Sequence, residues 1–258
     1  MRRNERSTKN VLLFYIQKIT INGIAMALHQ PINYDLQRMV VFTILTGALI
    51  SALGISISLF AKFQVMGLEA FNQRPDLLGN YVDSPLAYIF NMGLILAGSC
   101  ILLAMYGLLQ LKLGHFGNYI AFAGFVVGVT IILIGIYPIN YLKEHRLFST
   151  IFLIATIILY FLTLSARVNH KAICSTPLFI VSALGLTAAS SLALMVDWGI
   201  LDFAPCSHHD GSICGVAFAM WAQTNLVMIW CVTLALTIKK LARHSYQDNL
   251  ISQVSAHG

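Results

Sequence analysis

Six long apolar runs dominate the chain, and each is long enough to cross a membrane. An α-helix needs about 20 consecutive apolar residues to span a hydrocarbon core of about 30 Å. Strands of a membrane barrel would instead alternate apolar and polar residues over about 10 positions. The six runs are apolar on every face and extend over 39–61, 85–111, 117–139, 147–166, 177–196 and 216–238. The sequence therefore predicts an all-α, polytopic membrane protein built as a six-helix transmembrane bundle.

The composition agrees with a membrane protein and argues against a nucleic-acid-binding one. Hydrophobic residues make up 58% of the chain and charged residues only 10%, whereas soluble domains carry about 25% charged residues. The net charge of +6 would suit nucleic acid, but the basic residues flank the apolar runs. We therefore expect membrane lipids as partners, with a homo-oligomer or a membrane protein as a further possibility. No nucleic acid and no cofactor is predicted.

The distribution of Lys and Arg predicts the orientation. With the amino terminus in the cytoplasm, twelve basic residues fall on the inner side: Arg2, Arg3, Arg6, Lys9, Lys18, Arg38, Lys112, Arg167, Lys171, Lys239, Lys240 and Arg243. Four fall on the outer side: Lys62, Arg74, Lys143 and Arg146. Cytoplasmic loops carry the excess of positive charge, so both termini are predicted to be cytoplasmic.

The segment before the first run supports two interpretations. Residues 1–9 are basic, residues 11–16 are apolar, and residues 25–27 (Ala-Met-Ala) are typical of a signal-peptide cleavage site. Gln17, Lys18 and Asn22 interrupt the apolar core, which favours an interfacial helix on the cytoplasmic leaflet. The predicted organisation is a basic interfacial segment at 1–38, a six-span domain at 39–240 and a cytoplasmic tail at 241–258.

Small and polar residues within the runs are expected to mediate helix packing. The first run carries Gly47, Ser51, Gly54 and Ser58 on one helical face, and small residues allow close helix approach in lipid. No run has an ionisable residue near its middle, which argues against a proton pump or an ion pathway lined with carboxylates. The uncharged polar residues Asn91, Gln223, Thr224 and Asn225 are interpreted first as interhelical hydrogen-bonding groups.

The predicted outer connections collect candidate site residues. Asp83 and Ser84 precede the second run, His145 precedes the fourth, and Asp197 and Trp198 follow the fifth. We expect His145, Asn91, Ser84 and Asp197 to line one outward-facing polar pocket, with Trp198 beside it. Such a pocket would bind a lipid or another amphiphile. An alternative hypothesis is an integral-membrane hydrolase that uses His145 with Asp83, Ser84 or Asp197.

The last outer connection contains five residues that can ligate a metal or form a disulfide. His208, His209 and Asp210 lie between Cys206 and Cys214. The spacing matches no closed zinc site, and an outer loop faces the oxidising side of the membrane. A Cys206–Cys214 disulfide is therefore preferred, and a metal site at His208, His209 and Asp210 remains the alternative.

Two motifs resemble a known family. Ser84-Pro85 followed by residues 89–95 (Ile-Phe-Asn-Met-Gly-Leu-Ile) and Gly98 resembles the second-helix signature of the bacterial domain-of-unknown-function family nine-nine-eight. Residues 135–138 (Gly-Ile-Tyr-Pro) with His145 are similar to that family's element between helices three and four.

This resemblance implies six helices in the cytoplasmic membrane of a bacterium and no established reaction. It also suggests a distant similarity to the Frag/DRAM/Sfk group, which is associated with lipid homeostasis. An accessory lipid-binding role is the leading expectation. A small-molecule transporter is a further alternative, but the chain lacks mid-membrane charges and a recognisable internal repeat.

The charge count generates a testable topology. Reporter fusions after Lys112, Arg167 and Lys240 should report the cytoplasm, and fusions near Arg74 and His209 should report the outside. A signal from outside the membrane at Lys240 would contradict the predicted orientation.

Overall fold

The computed structural model describes residues 34–169, 174–203 and 214–257. Within them the helices are α1 (Tyr34–Met66), α2 (Glu69–Asn72), a 3-10 helix (Pro75–Gly79), α3 (Ala87–Gln110), α4 (Gly114–Ile136), α5 (Leu142–Asn169), α6 (Thr176–Met195) and α7 (Gly215–His257). Two short strands, β1 (Val196–Asp197) and β2 (Asp202–Phe203), form an antiparallel hairpin. The predicted interfacial helix and the alternative signal peptide lie outside the described residues.

Six of these helices, α1 and α3 to α7, are long and apolar enough to cross a membrane. Large apolar side chains such as Phe42, Leu103, Phe122 and Phe161 are more than 60% exposed on their surfaces. A water-soluble protein rarely exposes so much contiguous apolar surface, so these faces are suited to lipid. The predicted all-α six-helix bundle is confirmed.

The six helices form a closed ring in chain order. Each packs against the next, from α1 on α3 through α6 on α7, and α7 returns to pack against α1. Short connections make neighbouring helices antiparallel. The connections 67–86 and 137–141 and the described part of the last connection, 196–203, meet at one end of the ring, which we call the capped end. Hydrogen bonds join them there, including one from the Tyr81 N–H to Asn140 Oδ1 at 3.0 Å.

Glycines set the spacing between α3 and its two neighbours. A Cβ on Gly93 would lie 3.3 Å from the Gly54 Cα of α1, and one on Gly98 would lie 2.8 Å from the Gly128 carbonyl oxygen of α4. On the opposite side of the ring, Gly185 of α6 lies against the Tyr160 ring of α5. The small residues thus act as helix contacts, as the sequence indicates.

A small core fixes the 3-10 helix over the ring. Leu78 of that helix packs with Ile55 of α1 and Phe90 of α3, and Trp221 of α7 packs against the same cluster. The Trp221 indole N–H donates to the Gln73 carbonyl oxygen at 3.0 Å. Three spanning helices therefore position the segment that carries Arg74 and Asp76.

Several helix ends differ from the sequence-based boundaries: α1 begins at Tyr34 and α7 continues to His257. Two further differences lie at the capped end. The first span continues through Lys62, which is 2% exposed and whose Nζ donates to the Leu77 carbonyl oxygen at 3.5 Å. The fourth span begins at Leu142, so residues 143–146 form its first turn rather than a solvated surface turn. A local charge count misplaces both ends, because a Lys or His can continue a helix when the fold supplies a polar partner.

The α1–α3 contact predicts the effect of adding a side chain. Gly93→Leu should lower the free energy of unfolding by about 1–3 kcal/mol, because overpacking forces the α1 backbone away. Thermal unfolding in detergent measures the change. Met92→Leu on the exposed neighbouring position is the matched control and should change stability by less than about 0.5 kcal/mol. Equal effects of the two substitutions would contradict the assigned contact.

Candidate ligand-binding site

A cavity of about 170 Å³ occupies the centre of the ring at its capped end. All six spanning helices contribute to its wall, together with the 3-10 segment and the hairpin. Its rim is ionic and is formed by Arg74, Asp76, His145, Arg146 and Asp202. The deeper wall is mostly apolar and includes Ile55, Phe90, Leu94, Ala97, Ile101, Ile131, Leu153, Leu192, Val227 and Met228. The cavity is therefore polar at its rim and apolar below it.

The cavity is deep and blind. Its lining reaches Ile101, fourteen residues into α3, and Cys231, sixteen residues into α7. At about 1.5 Å per residue these positions lie about 21 and 24 Å along their helices. Beyond them Met105, Leu108 and Leu234 are buried, and a separate pocket of only about 10 Å³ lies against Leu108 and Leu234. The cavity thus extends through roughly two-thirds of a hydrocarbon core of about 30 Å.

Arg74 organises the rim. Its Nε and Nη2 bind the two carboxylate oxygens of Asp76 at 3.2 and 2.5 Å, a bidentate arrangement. Its Nη1 donates to Asp202 Oδ1 at 3.0 Å, and its guanidinium lies over the Phe203 ring at 5.7 Å. Arg74, which lies in the connection between α1 and α3, thereby binds the β1–β2 hairpin that follows α6.

Asp202 joins the hairpin to α5. Its Oδ2 accepts from Arg146 Nε at 2.8 Å and lies 2.6 Å from Arg146 Nη2. Exposure of the side chains falls from 29% for Arg146 through 15% for Arg74 to 4% for His145. The ionic network therefore leads from the surface of the protein into the cavity.

The charges at the rim stabilise both carboxylates in their ionised form. Burial alone would raise the pKa of Asp76, but the His145 hydrogen bond and the Arg74 charge outweigh it and hold the pKa below its ordinary value. Burial also acts to raise the pKa of Asp202, and the Phe203 N–H, Arg146 and Arg74 lower it overall. The two carboxylates in turn keep the Arg74 pKa above its ordinary value despite burial.

His145 has a hydrogen-bond partner for one ring nitrogen. Nδ1 lies 3.0 Å from the Tyr137 carbonyl oxygen, which can only accept, so Nδ1 carries a proton. Nε2 lies 3.5 Å from Asp76 Oδ2 and has no hydrogen-bond partner among the described residues.

Gln223 lines the deeper cavity from α7. Its Nε2 donates to Thr156 Oγ1 at 2.8 Å, and it is 2% exposed. Its Oε1 has no hydrogen-bond partner among the described residues. A second buried polar atom, besides His145 Nε2, thus borders the cavity without a close partner.

The other residues proposed from the sequence lie away from the cavity. The Asn91 amide donates to the Gly79 carbonyl oxygen at 3.1 Å and so holds the 3-10 helix to α3. Ser84 is buried, and its hydroxyl has no partner among the described residues. Asp83 accepts from Asn80 Nδ2 at the surface, and Asp197 accepts the Gly199 N–H at 2.9 Å. Trp198 is 52% exposed.

The structure therefore places only His145 of the predicted set at the cavity. Asn91, Ser84 and Asp197 were expected to line it with His145, but Asn91 bonds the Gly79 carbonyl oxygen, Asp197 bonds the Gly199 N–H, and Ser84 is buried outside the cavity.

The predicted cysteine and metal positions lie mostly outside the description. Cys206, His208, His209 and Asp210 are not among the described residues, so the disulfide and its metal alternative stay predictions. Within the described residues no group of three or more His, Cys, Asp or Glu side chains is arranged to hold a metal ion.

Sequence reasoning missed most of the ionic rim. Arg74 and Arg146 were used only for orientation, and Asp76 and Asp202 were not singled out. Arg74 and Asp202 are 128 positions apart in the chain, so the sequence gives no sign that they form an ion pair. A usable signal is the spacing of Arg74 and Asp76 around Pro75, since Pro begins the 3-10 helix and brings the two side chains together.

The fold and the cavity define a polytopic α-helical membrane protein. The chain matches the family described as Protein of unknown function (DUF998) over residues 48–237. It belongs to this family, and the resemblance of the second-helix and Gly-Ile-Tyr-Pro motifs is confirmed. Neither a curated protein nor a solved structure matches the chain.

The lowered carboxylate pKa values predict acid sensitivity. An unfolded Asp titrates near about 3.9, and the folded pKa values of Asp76 and Asp202 are lower. Their stabilising contribution is therefore complete above about pH 5 and is lost as the pH falls below about 4 towards the folded pKa values. Thermal unfolding in detergent between pH 7 and pH 3 measures this loss.

Variants locate the acid-sensitive groups. Asp76→Asn and Asp202→Asn should each reduce stability at pH 7 and weaken its fall in acid. Asp83→Asn, at an exposed carboxylate, is the matched control. A wild-type melting temperature that stays constant below pH 4 would contradict the assignment.

Proposed function

We propose that the protein binds an amphiphile with its polar headgroup at the ionic rim and its chain in the blind apolar cavity. The observation that carries this proposal is the depth of the cavity, because the lining continues about 20 Å below the capped end. A small polar metabolite would leave most of that apolar wall unoccupied. A hydrocarbon chain would cover this wall and gain about 0.8 kcal/mol for each buried CH₂ group.

The charges favour a zwitterionic or uncharged headgroup. Arg74 and Arg146 are balanced by Asp76 and Asp202 through direct ion pairs. An anionic headgroup would have to displace a carboxylate from an arginine and leave that carboxylate buried and unpaired, which is costly. A headgroup with both charges, or with hydroxyl groups, can bind the network without separating these pairs.

The geometry supports binding better than hydrolysis or transport. Hydrolysis by His145 would need a ring nitrogen hydrogen-bonded to a nucleophile, but among the described residues Nδ1 is bonded to the Tyr137 carbonyl oxygen and Nε2 to no hydroxyl or thiol. Passage across the membrane would need an opening at the far end of the ring, where Met105, Leu108 and Leu234 are buried. An accessory role in lipid handling is consistent with a blind cavity.

The cellular setting of this function is part of the proposal. We infer that the capped end faces the outside of a bacterial cytoplasmic membrane with both termini in the cytoplasm, because the positive charge is concentrated at the opposite end. The cavity would then receive amphiphiles from the outer leaflet. The Cys206–Cys214 disulfide would form in the same oxidising setting.

Filling the cavity tests the proposal. The probe is a single-chain phosphocholine with a photoactivatable diazirine in its chain, added to the full-length protein in detergent. In the wild type, crosslinks mapped by mass spectrometry should include Leu153, Val227 or Met228 on the cavity wall. Ser149→Phe adds a ring to the cavity and should remove most of this labelling.

The matched control is Ile151→Phe, two residues along α5 on the exposed surface. It should retain cavity labelling, and both variants should retain labelling of the exposed Phe161. Wild-type crosslinks confined to exposed residues would contradict the proposal, as would full cavity labelling in a folded Ser149→Phe protein.

A further inference from the structure

The deep wall of the cavity holds an unused hydrogen-bond acceptor whose identity the local network fixes. The Thr156 hydroxyl donates its single proton to the Leu153 carbonyl oxygen at 2.9 Å. It can then only accept from Gln223, so the amide group at 2.8 Å must be the Nε2 donor. In this orientation the Gln223 Oε1 is the atom left without a partner.

An unpaired acceptor at this depth is costly without a ligand. Gln223 is 2% exposed, and leaving such a buried acceptor unsatisfied disfavours the empty state. Thr156, which holds it, is fully buried and does not line the cavity, whereas Gln223 does. The Thr156 hydrogen bond thus holds the amide of a residue that borders the cavity.

The position along α5 gives the distance from the headgroup. Thr156 follows His145 by eleven residues, which is about 16 Å along the helix. An extended chain advances about 3.5 Å for every three bonds, so this distance corresponds to about fourteen bonds. After the bonds that link a headgroup to its acyl chain are subtracted, the acceptor lies near the middle of a stearoyl chain.

We propose that Gln223 selects amphiphiles that carry a hydroxyl group within the chain, which donates to Gln223 Oε1. The proposal rests on the binding function above and specifies its ligand class. A plain hydrocarbon chain would bury the acceptor without a partner, and a hydroxylated chain satisfies it. Sites that hydrogen-bond a ligand hydroxyl discriminate strongly against the analogue that lacks it.

Competition between two chains tests this specificity. The diazirine phosphocholine is displaced from the full-length protein by stearoyl lysophosphatidylcholine or by its 12-hydroxystearoyl analogue. We expect the hydroxylated analogue to compete about tenfold better with the wild type, the effect of one added buried hydrogen bond. Gln223→Met keeps the volume of the side chain and removes the acceptor, so it should abolish the preference while still binding the plain chain.

Two variants separate the acceptor from nonspecific effects. Thr156→Val removes the anchor of the amide outside the cavity and should reduce the preference without blocking binding. Asn225→Leu removes an exposed amide of the same helix, one that donates to the Trp221 carbonyl oxygen, and should leave the preference unchanged.

The outcomes distinguish this inference from the binding proposal. Equal competition by the two analogues in the wild type would overturn the role of Gln223, and would mean that water satisfies the amide, while binding itself stands. A preference that persists in Gln223→Met would overturn it as well. Failure of both analogues to displace the probe, with crosslinks only on exposed residues, would instead overturn the binding function.

Discussion

The close approach of α3 to both of its neighbours is the constraint on which the ring depends. Lipid gives apolar helices no hydrophobic reason to associate, so packing must come from contact between backbones. Gly93 permits that contact with α1, and Gly98 permits it with α4. Because α3 is held on both sides, the 3-10 segment that precedes it is fixed at the capped end by Leu78 and Phe90.

The ionic rim is the second level of this organisation. Arg74, at the start of the 3-10 segment, and Arg146, in the first turn of α5, both bind Asp202, so ion pairs join the hairpin, the 3-10 segment and α5. These ion pairs are only partly buried, and they do more to fix the relative positions of the elements than to raise the free energy of unfolding. They define a polar entrance above an apolar interior, which is the property that an amphiphile requires.

Below the rim, the cavity contains few polar groups, and their partners decide what each can do. His145 is hydrogen-bonded through Nδ1 to the Tyr137 carbonyl oxygen, and its Nε2 lies 3.5 Å from Asp76. Gln223 is hydrogen-bonded to Thr156. Each residue is therefore held by one hydrogen bond and keeps one polar atom without a close partner.

The amino-acid sequence by itself determined the class of the protein, because uncharged runs of about 20 residues have few alternatives to membrane-spanning helices. It also indicated the family, the packing role of residues such as Gly54, and His145 as a candidate site residue. Only the tertiary structure decided which polar groups share a site. Arg74 and Asp202 are 128 positions apart, and Gln223 has the same sequence appearance as an ordinary interhelical hydrogen-bonding residue. Their roles depend on how the helices close into a ring, and local spacing carries no information about that closure.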